Sequence, residues 1–114
     1  MRICSTYCML LAVVALLTSG CAPYRKNYTR GEASVCEIHQ RKMEKTVVPV
    51  HYGLRPVRPK RTAMDAVSPT AFPHAQDSIN PGCVVQRTRE AVIYTCPDCV
   101  QARRAWEADY DAKH

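Results

Sequence analysis

The sequence predicts a small single domain of the α+β class. Three observations predict it. Residues 46–52 have the pattern of a strand, with Val48, Val50 and Tyr52 on one face, and apolar residues recur at helical spacing after Cys96. Two pairs of candidate metal ligands also share the same two-residue gap. The chain has 114 residues. A core of this size is marginal, so we expect a metal ion or disulfide bonds to stabilise it.

The N-terminal residues, 1–20, have the pattern of an export signal peptide. An apolar run at 9–17 follows Arg2, and small residues separate that run from Cys21. A run of this length is typical of a signal-peptide core and is too short to span a membrane. The segment from Leu17 to Cys21 resembles the lipobox of bacterial lipoproteins, in which the cysteine is acylated and becomes the new N-terminus. An uncleaved signal anchor and ordinary cleavage with release remain open.

The lipobox resemblance implies a location in the bacterial cell envelope. A lipid on Cys21 would anchor the chain in the membrane, and the domain would face the periplasm or the exterior. The residue after the cysteine is Ala22 and not aspartate. In lipoproteins of Gram-negative bacteria, a residue other than aspartate at this position favours the outer membrane over the inner one. Disulfide bonds can form in such a compartment. The polar residues 21–34 are predicted to be a flexible tether.

The predicted domain spans residues 35–112 and contains an early strand at 46–52. Val48 and Val50 fall on one face of this strand. Pro49 has no N–H group to donate to a neighbouring strand, so we expect the strand to lie at the edge of a sheet.

The middle of the domain is predicted to be irregular and then to form a hairpin. Residues 54–82 are rich in proline and show little periodicity, which predicts a long loop from which Phe72 packs back onto the core. Residues 83–87 and 91–95 are both rich in β-forming residues and are joined by a short polar link, which predicts a β-hairpin.

One C-terminal helix is predicted from Cys96 to about residue 112. Pro97 and Asp98 suit a first helical turn, where the missing N–H is not needed and negative charge meets the positive end of the helix dipole. The buried stripe of this helix is predicted at Cys99, Ala102, Trp106 and Tyr110.

Two pairs of side chains form a candidate metal site. The predicted ligands are Cys36, His39, Cys96 and Cys99, with Cys83 as a fifth or substitute ligand. A two-residue gap lets one tight turn aim both side chains at the same ion, and thiolate with imidazole is a donor set that zinc prefers. One pair in a turn and the other at a helix start resembles the treble-clef class of zinc modules. The expected cofactor is therefore a structural zinc ion.

Disulfide bonding is the main alternative to the metal, and it would leave the domain without a cofactor. If Cys21 carries lipid, pairing Cys96 with Cys99 would leave Cys36 to join Cys83. Reactive thiols are a further alternative, as in dithiol redox sites. Copper(I) would need softer ligands such as Met43 or His51, but we expect the former to be a packing residue and the latter to lie at the surface.

A basic run follows the predicted strand and is a candidate for contact with an anionic surface. It contains Arg55, Arg58, Lys60 and Arg61, spaced by prolines. One interpretation is a solvated loop with no binding role, and the other is contact with anionic lipid. The net charge of +6 is spread along the chain and does not favour nucleic acid as a partner.

The pattern of the domain also resembles a group of small bacterial proteins of unknown function that often begin with a lipoprotein or signal-peptide segment. The resemblance covers about residues 35–107 and rests on these motifs: Cys36-x-x-His39, Val48-Pro-Val-His-Tyr-Gly53, Gly82-Cys-Val84 and Cys96-Pro-x-Cys99. It implies one structural unit and no established activity.

Three functions remain open at this point, and the leading one is not that of an enzyme. The first is a membrane-anchored lipoprotein with a metal-binding or interaction domain, and its protein partner in the envelope is unknown. The second is a disulfide-stapled envelope protein that acts through protein contacts alone. The third is a periplasmic copper or zinc carrier or a thiol-redox protein. No serine–histidine–aspartate set, carboxylate pair or glycine-rich phosphate loop is visible in the sequence.

Overall fold

The structure is a computed structural model that describes residues 24–114. The predicted signal peptide and Cys21 lie outside the described residues. The described part forms a small α+β domain, which confirms the predicted class. Its elements are, in chain order, β1 (Arg25–Asn27), β2 (Glu44–Pro49), α1 (Pro59–Ala71), β3 (Glu90–Thr95) and α2 (Pro97–Lys113).

The three strands form one sheet with the order β1-β3-β2. β1 runs parallel to β3, whereas β2 runs antiparallel to it. β2 therefore lies at an edge, as Pro49 predicts. Val48 and Val50 are buried with Ala91 and Ile93 of β3, and these four residues form a small apolar cluster on the sheet.

The register of the strands gives the sheet two distinct ends. At one end, Arg25 and Pro49 both lie opposite Glu90. At the other end, Glu44 lies opposite Thr95, and the hydroxyl groups of Thr46 and Thr95 are hydrogen bonded at 2.6 Å. We call the first the Glu90 end and the second the Thr95 end.

The predicted hairpin is wrong. Residues 83–87 form no strand, and the long aliphatic side chains among them are well exposed, at 78% for Val84 and 64% for Val85. β3 has β1 on one side and β2 on the other, so neither of its edges is free to pair with residues 83–87. Pairing with distant segments has replaced pairing with the nearest one.

The predicted irregular loop at 54–82 contains helix α1, which the prolines had argued against. Pro59 occupies the first turn, where its missing N–H removes no helical hydrogen bond. Pro69 lies near the other end of the helix, where it disturbs only the last turns. Phe72, which ends the helix, is buried as predicted and packs on the Cys/His cluster.

The described residues of the predicted tether at 21–34 include β1, which belongs to the sheet. β1 pairs with β3, and the N–H of Tyr28 donates to the carbonyl of Val92 at 2.9 Å. The guanidinium group of Arg25 contacts the carboxylate of Glu90 at 2.6 Å. This cross-strand ion pair is one reason why so polar a segment joins the sheet.

The C-terminal helix α2 follows the prediction closely. Pro97 lies in its first turn, and Trp106 stacks on Tyr110 with ring centroids 5.3 Å apart. Trp106 also contacts Phe72 at 6.4 Å between centroids, which joins α2 to the end of α1. Among residues 24–114, no helix combines the length and the apolar character that crossing a bilayer requires.

Candidate metal centre

Cys36 and His39 lie on a tight turn that precedes β2. The N–H of Cys36 donates to the carbonyl of Arg41 at 2.9 Å, and the N–H of Gln40 donates to the carbonyl of Cys36 at 2.8 Å. Gln40 has a φ of 51°, in the left-handed region, and this reverses the chain directly after His39. The turn therefore presents both side chains on the same side.

Cys96 and Cys99 are held by the first turn of α2. Cys96 is the N-cap residue, with an extended backbone, and its carbonyl accepts a hydrogen bond from the N–H of Val100 at 3.0 Å. Its own N–H donates to the carbonyl of His74 at 3.0 Å. The helical turn that begins here brings Cys99 to the same face as Cys96.

The antiparallel pairing of β2 with β3 brings the two ligand pairs together. The turn with Cys36 and His39 leads into β2 at Glu44, and Cys96 follows directly after Thr95 at the end of β3. Because Glu44 and Thr95 are opposite each other, both pairs lie at the Thr95 end of the sheet. Local spacing builds each pair, and the sheet register joins them.

The four side chains converge on one point. Nδ1 of His39 lies 3.5 Å from Sγ of Cys36, 3.8 Å from Sγ of Cys96 and 3.3 Å from Sγ of Cys99. The sulfur atoms of Cys36 and Cys99 are 3.7 Å apart. All four ligand atoms lie within 4.8 Å of one another, so the cluster could hold a metal ion. Bonds of about 2.3 Å to sulfur and 2.0 Å to nitrogen would give tetrahedron edges of about 3.5–3.8 Å, which matches these separations.

The cluster is also the centre of the main hydrophobic core. Cys36, Cys96 and Cys99 are all 0% exposed, while His39 is half-buried. The buried core around them consists of Met43, Phe72 and Ala75, flanked by the partly buried Met64, Val67, Tyr94, Val100, Ala102 and Trp106. A group bound at this site would thus be shielded from solvent on most sides.

The thiols of Cys36 and Cys99 differ strongly in acidity. Burial opposes ionisation of Cys36, but hydrogen bonds from the backbone and side chain of His39, with smaller contributions from Ile38 and Cys99, lower the pKa of this thiol to about 6. Burial raises the pKa of Cys99 to about 12, and the neighbouring Cys36 and Cys96 add to the rise. Several thiolates this close repel each other, so a cation between them would remove the conflict.

Two polar side-chain contacts lie around the cluster. Nε2 of His74 lies 2.7 Å from a carboxylate oxygen of Glu37, which sits between the first two ligands. Arg41, just after the turn, contacts Asp98 between the two helix cysteines at 2.9 Å. The sequence analysis assigned no role to His74 or to these contacts. The placement of Glu37 and Asp98 inside the two ligand motifs was the only available signal.

Cys83 does not join the cluster, which corrects its prediction as an additional ligand. It is exposed, and it borders an open groove of about 920 Å³ whose lining also includes Phe72 and Ala75 of the core. The reason is that residues 83–87 lead into β3 at its Glu90 end, whereas the cluster lies at the Thr95 end. Met43 is buried in the core and His51 is exposed, as expected for residues that are not ligands.

The basic run divides into two halves. Lys60 and Arg61 lie in α1 and form ion pairs, the first with Asp111 at 2.7 Å and the second with Asp65 at 3.3 Å. Arg55 and Arg58 precede the helix, are exposed, and form no ion pair within residues 24–114. The prediction that all four belong to one loop is therefore wrong.

Comparisons with known proteins identify no family for this chain. No protein-family model matches it, and no curated protein or solved structure matches it either. The resemblance to a group of small bacterial proteins thus stays an expectation from the sequence, and the function has to be argued from the site.

Proposed function

We propose that this chain is a membrane-anchored bacterial lipoprotein whose domain is closed around a structural zinc ion. The ligands are Cys36, His39, Cys96 and Cys99, and the lipid is carried by Cys21. The observation that supports the metal most is the convergence of three sulfur atoms and one imidazole nitrogen. The nitrogen lies 3.3–3.8 Å from each sulfur atom, Sγ of Cys36 lies 3.7 Å from Sγ of Cys99, and all four atoms lie within 4.8 Å of one another, close to the edges of a tetrahedral zinc site.

The donor set favours a structural role over a catalytic one. Four protein ligands fill a tetrahedral zinc site, whereas catalytic zinc sites keep one position open for water or substrate. The three cysteines are fully buried, so a substrate would not reach the ion. The function is therefore one of holding the fold, and the domain acts through its surface.

The alternative of two disulfide bonds fits the domain less well. Each of the three ways to pair the four cysteines joins Cys83 to a cysteine of the cluster, but Cys83 is exposed and outside the cluster while the other three are 0% exposed. Disulfide pairing also gives His39 no role. A thiol-redox function would need an accessible thiol at the Cys-Pro-Asp-Cys turn, and both of its cysteines are 0% exposed. A copper or zinc carrier would have to release its ion, but the three cysteine ligands are 0% exposed.

Metal analysis of the native protein tests the proposal. The full chain would be purified from membranes in detergent, without reduction or refolding, and its zinc content and free thiols would be counted. We expect one zinc ion per chain, loss of this zinc in Cys99→Ser, and full retention in the matched control Cys83→Ser. A chain with no metal, whose cysteines become reactive only after reduction, would establish the disulfide alternative.

The anchor is tested separately by labelling with a palmitate analogue. Wild-type chain and Cys83→Ser should incorporate the label, and Cys21→Ser should not. Incorporation that persists in Cys21→Ser would contradict the lipid attachment at this residue without affecting the metal site.

A further inference from the structure

The most exposed apolar side chains of the described residues lie at one end of the domain. The exposed fractions are 92% for Leu54, 91% for Val57, 78% for Val84, 69% for Tyr24 and 64% for Val85. The other large apolar residues that are exposed, Val35, Ile38 and Val47, reach only 42–45%. Side chains that protrude this far contribute nothing to the core, and a contiguous set of them marks a contact surface.

Backbone hydrogen bonds hold the segments that carry these residues side by side. The N–H of Val50 donates to the carbonyl of Arg89 at 2.9 Å, and the N–H of Gly53 donates to the carbonyl of Gly82 at 3.0 Å. Segment 50–53 is thus bonded to both ends of loop 83–88. Loop 54–58 leaves the same segment at Gly53, so the two loops project next to each other.

The sheet register places both loops at the Glu90 end. Loop 83–88 leads directly into β3, and loop 54–58 follows β2 beyond Pro49, which lies opposite Glu90. The chain also enters β1 at this end, because Arg25 pairs with Glu90. The Cys/His cluster lies at the opposite end, beyond Thr95.

The charges of the two loops and of Arg89 are positive and unpaired. Arg55, Arg58, Arg87 and Arg89 are exposed and form no ion pair within the described part of the chain. Segments 50–58 and 82–89 contain no aspartate or glutamate. Glu90, the first acidic residue after them, is neutralised by Arg25 at 2.6 Å.

We propose that this surface, formed by Tyr24, Leu54, Val57, Val84, Val85 and the four arginines, docks onto an anionic lipid bilayer. Aliphatic side chains next to arginine suit the boundary between acyl chains and anionic headgroups. Nucleic acid fits less well, because Tyr24 is the single aromatic ring among the residues named for this surface, and neither loop adds another on which a base could stack.

The position of the proposed lipid supports the same orientation. Cys21 precedes Arg25 by a few residues, and an extended chain covers at most about 3.5 Å per residue, or about 14 Å here. A lipid on Cys21 would hold the Glu90 end at the bilayer and leave the metal end facing away from it. In this respect the inference rests on the proposed membrane location, but it is independent of the metal.

Footprinting of arginines in the reconstituted full chain tests the surface. The lipidated chain would be placed in vesicles of phosphatidylcholine alone or with phosphatidylglycerol, and each arginine would be modified with phenylglyoxal and quantified by mass spectrometry. Arg41 is the internal reference, because it is exposed at the opposite end of the sheet. We expect modification at Arg55, Arg58, Arg87 and Arg89 to fall several-fold in the anionic vesicles at low salt, with no change at Arg41.

Two serine variants separate surface contact from general attachment. Val84→Ser with Val85→Ser should reduce the protection of the arginines, whereas Val47→Ser, on β2, should leave it unchanged. Equal modification in neutral and anionic vesicles would overturn the proposal, and so would protection of Arg41 equal to that of the four arginines. Equal modification in the two kinds of vesicle is also the result expected if this surface binds an acidic protein instead of lipid. If the chain does not float with the vesicles, the proposed membrane anchor is wrong. If the chain floats but its arginines are not protected, only the proposed docking surface is wrong.

Discussion

His39 is the residue that distinguishes a metal site from a group of buried thiols. Its Nδ1 lies 3.3–3.8 Å from all three sulfur atoms. Burial acts against ionisation of Cys36, but hydrogen bonds from the backbone and then from the side chain of His39 lower the pKa of this thiol to about 6. The nitrogen of this half-buried side chain is therefore placed where it could act as a ligand together with the three sulfur atoms.

Replacing His39 should show whether the fourth position must be a ligand. His39→Cys keeps a donor there and should retain one zinc ion per chain, because four cysteines form a common structural site. His39→Ala removes the donor and should lose the metal. Zinc content of the purified full chain, measured without refolding, reports both results.

The control for this pair is His51→Ala, since His51 is exposed and outside the cluster. It should bind zinc as the wild type does. Equal zinc content in His39→Ala and His51→Ala would show that the imidazole is not a ligand.

At the scale of elements, Arg103 of α2 fixes the segment after α1. Its guanidinium group donates to the carbonyl of Ala75 and to a carboxylate oxygen of Asp77, both at 2.9 Å, and to Glu107 one turn further along the helix. Burial acts against the charged form of Asp77, but the hydrogen bond from Arg103 outweighs it and lowers the pKa of this carboxyl group. The same segment supplies His74, whose carbonyl binds the N–H of Cys96.

Removal of the Arg103 side chain should therefore destabilise the whole domain. Its side chain is only 18% exposed, and hydrogen bonds to charged groups contribute about 1.5–3 kcal/mol when one partner is removed. We expect Arg103→Ala to lower the free energy of unfolding of the zinc-loaded protein by about 2 kcal/mol, measured by denaturant titration. Arg104→Ala, on the exposed side of the same helix turn, should change it by less than about 0.5 kcal/mol. Equal effects of the two substitutions would contradict the role of Arg103.

The elements that the sequence predicts correctly are those specified by nearby residues. Spacing alone indicates the turn at Cys36 and His39, and Pro97 with Asp98 marks the start of α2. Helix α1 was missed because it has no fully buried residue and only a thin apolar stripe, at Met64 and Val67, that becomes visible only against the cluster. β1 and the two strands that pair with β3 could not be predicted, because β3 pairs with segments that are distant in the sequence and not with the nearby residues 83–87.

At the scale of the whole molecule, the domain has two buried clusters that share β3 and its continuation into α2. One surrounds the four ligands, and the other consists of Val48, Val50, Ala91 and Ile93 on the sheet. Four aliphatic residues on a three-stranded sheet bury too little surface to fold alone. The second cluster therefore depends on the first, which has the four candidate ligands at its centre.

Removal of the metal should consequently unfold the whole domain. A structural zinc site contributes on the order of 10 kcal/mol of coupled folding free energy, which exceeds what a core of this size provides. In the presence of a strong chelator, fluorescence of Trp106 should shift to that of a solvated indole, and the amides of Ala91 and Ile93 in β3 should lose protection from hydrogen exchange at the same chelator concentration. Added zinc should restore both signals together. Protection of β3 that persists after the Trp106 signal has changed would show instead that the sheet is stable without the metal, and that the ion holds only α2 and the turn at Cys36.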